Sequence, residues 1–263
     1  MRHDAGVKIK RDHAAVVAVV TVAALAMGGA FWFRTTLEQP TEDAVSTPAT
    51  SSAPPEVRNR TLTIKRPAEG PMTVQFIGDS ISNGWAATTD QDGYVAKTVA
   101  AWSAEGPVAP RVDAVSGAKM WEVGKFVQVA PKASLVVIEL GTNDARESEE
   151  TAAGEFHKQY TALVDRVTKE APYASVVCLG TWRPAGRGGT FDRQIYDVCD
   201  GRANALYLAL DDLYTDPALR GPAGRPVFLG NGDVFHPNDA GYTAITKRIT
   251  DNVTLMPAHP AAK

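Results

Sequence analysis

Three side chains in this sequence have the types and spacing of an activated nucleophile. Ser80 stands in the run Phe76-Ile77-Gly78-Asp79-Ser80-Ile81-Ser82-Asn83-Gly84-Trp85, and Asp233 precedes His236 by three residues in Gly232-Asp233-Val234-Phe235-His236-Pro237-Asn238. A serine hydroxyl is a weak nucleophile until a base takes its proton. An imidazole is suited to that task when a carboxylate holds its tautomer and stabilises its charged form. Elimination points to His236 among the five histidines. His3 and His13 precede a long apolar segment, His259 lies in the terminal tail, and His157 falls beside the apolar stripe of a predicted helix. Gly-Asp-Ser alone is ordinary turn chemistry, and a serine there also serves as a helix N-cap, so the weight rests on the later Asp-x-x-His.

Two further segments supply groups that could hold a developing negative oxygen. Leu140-Gly141-Thr142-Asn143-Asp144 offers the amide of Asn143, which in another reading closes an Asx-turn. Ser116-Gly117 offers a backbone N–H, because a glycine lets the chain come close to a ligand. Asp79 and Asp144 flank these groups as supporting carboxylates. Trp85, Trp182 and Arg183 lie in predicted loops, where they either contact a sugar or acyl chain or simply pack.

These residues need a scaffold that delivers them to one place. Short β-rich runs at 74–77, 112–115, 135–140, 175–179 and 205–210 alternate with amphipathic stretches, which predicts βα units and a parallel sheet. Residues 151–170 form the clearest helix, with Phe156, Tyr160, Leu163, Val164 and Val167 on one stripe. Residues 239–253 form another, with Tyr242, Ile245 and Ile249 on one face. The run 135–140 hardly alternates, as expected of a central strand covered on both faces. The expected architecture is a three-layer α/β/α sandwich, in which ligands bind beyond the carboxyl ends of the strands. Ser80 is expected at a strand's carboxyl end, where a turn enters a helix whose nearby N–H groups would favour an oxyanion.

The remaining segments bound the setting. Residues 1–13 are basic, and residues 14–33 carry no ionisable side chain, about the ~20 residues a helix needs to cross a bilayer. This segment reads as an uncleaved anchor, with Phe31, Trp32 and Phe33 at the interface, or as a signal peptide with Gly28-Gly29-Ala30 near its cleavage region. The basic flank places the N-terminus in the cytoplasm and the chain beyond Arg34 outside, either held at the membrane or secreted. Residues 34–60 are a Pro-, Thr- and Ser-rich linker, 61–256 the folded domain and 257–263 a tail. Cys178 and Cys199 either pair or stay as separate thiols. With a net charge of −3 and no basic stripe after the N-terminus, nucleic acid is not an expected partner.

Taken together, the blocks resemble those of the SGNH hydrolases, the GDSL-like lipases and acylhydrolases. Gly78-Asp79-Ser80 is similar to the first block, Gly117 to the oxyanion glycine of the second, Gly141-Thr142-Asn143-Asp144 to the third and Asp233 to His236 to the last. Ile81 stands where the longer signature has leucine. The resemblance spans residues 73–255 and implies a flavodoxin-like sheet and ester hydrolysis through an acyl-enzyme. Ser80 would be the nucleophile, His236 the base and Asp233 its orienting partner. The oxyanion would be held by the N–H groups of Ser80 and Gly117 and by Asn143, with no metal or cofactor. The expected partner is a small-molecule, glycan or lipid ester outside the cytoplasm. Interception of the acyl-enzyme by a sugar hydroxyl would instead make the protein an acyltransferase. Other readings are a non-catalytic glycan-binding module and a metal-dependent hydrolase built from Asp79, Asp144, Asp233, Asp239 and His236, although no HExxH motif is present.

Overall fold

The computed structural model describes residues 60–257. The basic N-terminus, the apolar segment, the linker short of its last residue and the tail after Pro257 lie outside the described residues. Among the described residues no helix is long and apolar enough to cross a membrane. The elements in chain order are β1 (Leu62–Lys65), β2 (Met72–Gly78), α1 (Tyr94–Ser103), β3 (Val108–Ala114), α2 (Met120–Phe126), β4 (Leu135–Glu139) and α3 (Ala153–Glu170). They continue as β5 (Ser175–Leu179), α4 (Ala185–Asp200), β6 (Ala205–Leu208), α5 (Asp211–Thr215), α6 (Asp239–Asn252) and β7 (Val253–Met256).

Five strands form one parallel sheet in the order β3-β2-β4-β5-β6. Such a sheet needs a crossover between successive strands, and the helices supply it on both faces. One core packs Ile77, Val136, Ile138, Val176 and Tyr207 of the sheet against Val123 of α2, Phe156, Tyr160 and Leu163 of α3 and Ile195 of α4. The other packs Val74, Phe76, Val137, Val177 and Leu206 against Tyr94 and Trp102 of α1 and Tyr242, Ile245 and Ile249 of α6. Because side chains alternate along a strand, β4 feeds Val136 and Ile138 to one layer and Leu135 and Val137 to the other. Every residue of β4 is buried, which explains its unbroken apolar run and its central place.

The chain order of the strands reverses between β2 and β4, since β3 goes back to one edge before β4 is laid on the other side of β2. Loops after those two strands diverge there and leave a crevice. The register sets Gly78 opposite Glu139, so the loops carrying Ser80 and Asn143 leave the sheet side by side. The polar Gln75 of β2 is tolerated in the interior because its amide donates to Asp113 (2.6 Å) and the Gln128 carbonyl (2.8 Å) and accepts from Ala130 N–H (2.8 Å).

Several expectations need correction. The run at 112–115 is the end of a longer strand, Val108–Ala114; Pro110 interrupts the β pattern in the sequence, but an edge strand tolerates a proline. The run at 205–210 stops at Leu208. The turn at Ser80 reaches its helix only at a distance: residues 80–86 form a winding turn, tied by Trp85 N–H to Ser80 O (2.9 Å) and Asn83 N–H to Asp79 O (3.1 Å), and α1 starts only at Tyr94. The two short strands β1 and β7, absent from the sequence-based strand set, pair in parallel outside the main sheet.

Cys178 of β5 and Cys199 in the last turn of α4 form a disulfide, with a sequence separation of 21. A loop of that size closed by a cross-link stabilises by about 3 kcal/mol through the unfolded chain. Replacing both cysteines by serine, or reducing the bond, is expected to lower the unfolding free energy by about that amount in a denaturant titration; an unchanged midpoint would remove the bond from the stability account.

Candidate active site

Ser80 Oγ lies 2.9 Å from His236 Nε2, and His236 Nδ1 lies 2.6 Å from Asp233 Oδ2. A carboxylate only accepts, so Nδ1 carries the proton and Nε2 presents its lone pair to the serine hydroxyl. The other Asp233 oxygen accepts the backbone N–H groups of Phe235 (2.8 Å) and His236 (2.7 Å). The three-residue spacing therefore has a local cause: the carboxylate folds back on its own turn and so aims the ring.

The turn is held from behind. Trp182 Nε1 donates to the Phe235 carbonyl (2.8 Å), and Tyr214 packs edge-on against Trp182 and beside Phe235. Asn238 caps α6 by accepting from Gly241 N–H (3.0 Å), while its own N–H donates to Leu219 O (3.0 Å). Of the open alternatives for loop aromatics, Trp182 is therefore a packing residue, fully buried. Trp85 and Arg183 instead face the cleft, which they line together with Ser80, Gly117, Asn143 and His236.

Partial burial disfavours the imidazolium of His236, and this outweighs the hydrogen bond and charge of Asp233, so its pKa lies below the ordinary 6.5. Burial also works against the Asp233 carboxylate, but the bonds it accepts from His236 and Phe235 outweigh that and keep it below the usual range. Near neutrality the resting pair is thus a neutral base beside an ionised carboxylate.

The oxyanion candidates converge on the same cleft of about 500 Å³. Gly117 has φ +79, a conformation that strains any other residue. Among the described residues, neither its N–H nor that of Ser80 meets an acceptor within the protein. Asn143 arrives differently. Its amide nitrogen already donates to Asp79 Oδ2 (2.8 Å) and to the Ala118 carbonyl (3.0 Å), and its oxygen accepts from Arg146 (2.9 Å). The side chain is fixed at the cleft, but both amide hydrogens are engaged at rest.

Asp79 does not face the cleft; it accepts from Ile81 N–H (3.0 Å) and Asn143, pinning one loop to the other. Burial pushes its pKa up to about 6, and burial together with the charge of Asp79 raises that of Glu139. Two adjacent buried carboxyls favour keeping one proton between them over carrying two charges. Asp144 braces the Gly117 loop by accepting from Met120 N–H (2.9 Å) and Thr151 Oγ1 (2.7 Å). Asp239 accepts from Thr88, at 2.8 Å from its N–H and 2.5 Å from its hydroxyl. Among the described residues, no three His, Cys, Asp or Glu side chains are placed to hold a metal ion. Sequence reasoning missed Glu139, Arg146 and Phe235. The signals were a carboxylate inside an apolar strand, a cation two residues beyond Asp144, and an aromatic beside the motif histidine.

This fold has known relatives. The profile of the GDSL-like lipase/acylhydrolase family matches residues 76–244. A search of curated proteins returns no match. Among solved structures, a family two carbohydrate esterase from Clostridium thermocellum, in complex with cellohexaose, superposes with a TM-score of 0.51 at 18% identity, covering 70% of this chain and 64% of that one. The chain thus spans less than two thirds of that relative. The esterase EstA from Pseudoalteromonas sp. gives 0.53 at 17%, covering 68% and 95%. Phospholipase A1 from Streptomyces albidoflavus gives 0.51 at 19%, covering 70% and 100%. At such identities the likeness is one of fold.

An NMR titration of His236 is expected to give a midpoint below pH 6.5. Asp233→Asn should move it further down, because the carboxylate is what raises it; a midpoint that rises in the variant would contradict this charge arrangement.

Proposed function

We propose that the chain, which belongs to the GDSL-like lipase/acylhydrolase family, is an ester-hydrolysing enzyme in which Ser80, His236 and Asp233 hydrolyse carboxylic esters through an acyl-enzyme. The observation that carries this reading is the unbroken line of Ser80 Oγ, His236 and Asp233 at 2.9 and 2.6 Å. Ser80 Oγ attacks the carbonyl carbon while His236 Nε2 takes its proton. The imidazolium, held by Asp233, then protonates the leaving alcohol. Water repeats the sequence on the acyl-enzyme, with the proton passing to His236 and back to Ser80.

The N–H groups of Ser80 and Gly117 receive the oxyanion as the open donors. Asn143 joins them by exchanging the Ala118 carbonyl for the charged oxygen, a trade favoured because hydrogen bonds to a charged acceptor are about twice as strong as neutral ones. The Asp79 anchor keeps the amide in place meanwhile.

The substrate is proposed to be a short acyl ester on a carbohydrate or other polar alcohol. The half-buried rings of Trp85 and Phe235 that line the cleft support this, as does the presence of a carbohydrate esterase among the fold relatives. The setting is proposed to be outside the cytoplasm, at the membrane or released from it. Residues 14–33 support this by their apolar length, and the Cys178–Cys199 disulfide does so by its need for an oxidising compartment.

The test is hydrolysis of p-nitrophenyl acetate by the full chain in detergent, beside Ser80→Ala and Asn143→Ala. Ser80→Ala should abolish turnover. Asn143→Ala should cost about 100- to 1,000-fold in kcat, as for loss of one oxyanion donor. Full activity in Ser80→Ala would overturn the mechanism. Because the base must be neutral, kcat/KM should fall as pH drops through the His236 pKa, with a midpoint below 6.5.

A further inference from the structure

Among the described residues no carboxylate lines the cleft around Ser80; its ionisable residues besides His236 are Arg146 and Arg183. Neither forms an ion pair with a carboxylate among the described residues. Arg187, on the first turn of α4, by contrast pairs with Glu150 at 2.9 Å. Arg183 is held in a defined direction. Its Nε donates to the Thr142 carbonyl (3.2 Å), and its guanidinium lies 4.6 Å above the Phe235 ring. Among the described residues the terminal nitrogens meet no acceptor, which leaves a planar fork of the kind suited to a carboxylate or phosphate.

The position of this fork relative to the chemistry is set by the ring beneath it. Phe235 packs edge-on against His236, with ring centroids 5.1 Å apart, and the Arg183 charge is among the influences that hold the imidazolium down. In the proposed reaction His236 passes its proton to the departing alcohol, so the alcohol portion of the ester lies on the His236 side, beside Phe235 and Arg183. Arg146, bound to Asn143 on the oxyanion side, lines the same cleft and adds to its positive potential.

We propose that Arg183, assisted by the field of Arg146, recognises an anionic group on the alcohol portion of the substrate, so that the preferred substrates are acyl esters of acidic alcohols. This deepens the serine-esterase reading and rests on it. A carboxylate on a sugar acid and a phosphate on a polyol share the recognising chemistry: two oxygens presented to one guanidinium. Burial supports the assignment from the other direction, since a half-buried guanidinium with no counter-charge has its pKa lowered and gains from an incoming anion.

The experiment compares kcat/KM for three aryl acetates with the wild-type chain: 4-acetoxybenzoate, 4-acetoxyphenyl phosphate and the uncharged 4-acetoxybenzamide. The expected result is a preference for at least one anionic ester of about tenfold, the scale of one charge-assisted hydrogen bond. The preference should be carried mainly by KM. Whichever anion is favoured tells carboxylate from phosphate. Arg183→Ala should bring the ratio of anionic to neutral ester close to one whatever the absolute rates do, Arg183→Lys should keep part of it, and Arg187→Gln should keep all of it. Raising salt from about 0.02 to about 0.5 M should shrink the wild-type ratio without any substitution. A ratio near one in the wild type, or one that Arg183→Ala and salt leave unchanged, overturns the charge assignment while leaving the esterase reading intact. Hydrolysis of none of the three esters by the wild type overturns both.

Discussion

The pairing of β2 with β4 is the constraint on which the site depends. Setting Gly78 against Glu139 releases two loops at adjacent points of the sheet edge, one carrying Ser80 and the other Asn143. Gly78 has to lack a side chain there: a Cβ would meet Ser82 Oγ at 1.9 Å and the Glu139 carbonyl at 2.9 Å. Below the pair, Asp79 and Glu139 share a proton, Ser82 donates to Glu139 (3.2 Å) and bonds Tyr94 (2.7 Å), and Asp79 holds Asn143. A one-residue slip of this register would turn every side chain of β4 to the other layer and dismantle the polar floor along with the core.

Charge is sorted by depth. The carboxyl pair under the cleft keeps a proton because burial makes two adjacent negative charges too costly. Asp233 stays ionised through the N–H groups of its own turn. The guanidinium groups stand at the rim, where water still reaches them. The result is a nearly neutral floor, one fixed negative charge behind the histidine and a positive mouth. That distribution favours the charged transition state of acyl transfer inside the cleft and an anion at its entrance.

Much of this was legible in the sequence because it depends on local rules. The stripe of Phe156, Tyr160, Leu163, Val164 and Val167 is the buried face of α3, since a helix repeats every 3.6 residues whatever it packs against. Asp233 and His236 meet as their three-residue spacing suggested, because the aspartate bonds within its own turn. The features that escaped depend on distant partners. The winding after Ser80 replaces a helix because its turns are tied back to Asp79 and Ser80, and no propensity encodes that. Trp182 reads equally as a ligand contact or a packing residue, and only its distant partners Phe235 and Tyr214 decide for packing. Glu139 breaks the pattern of an apolar strand, and only Asp79, 60 positions earlier in the chain, gives it a reason. The cysteine pair is likewise settled by the packing of β5 against α4.

The points at which the chain enters and leaves the domain also have a practical meaning. Arg60 bonds the Asp200 side chain (3.0 Å) and the Asp200 and Arg202 carbonyls at the far end of α4, and β1 pairs with β7, which continues from the last turn of α6. Both helices start near the crevice and run away from it, so Arg60 and Pro257 leave the domain at the edge remote from Ser80. A support, label or fused partner joined at either of these points would leave the mouth of the cleft open, and the domain lends itself to attachment on a surface with its reacting edge turned towards the solution.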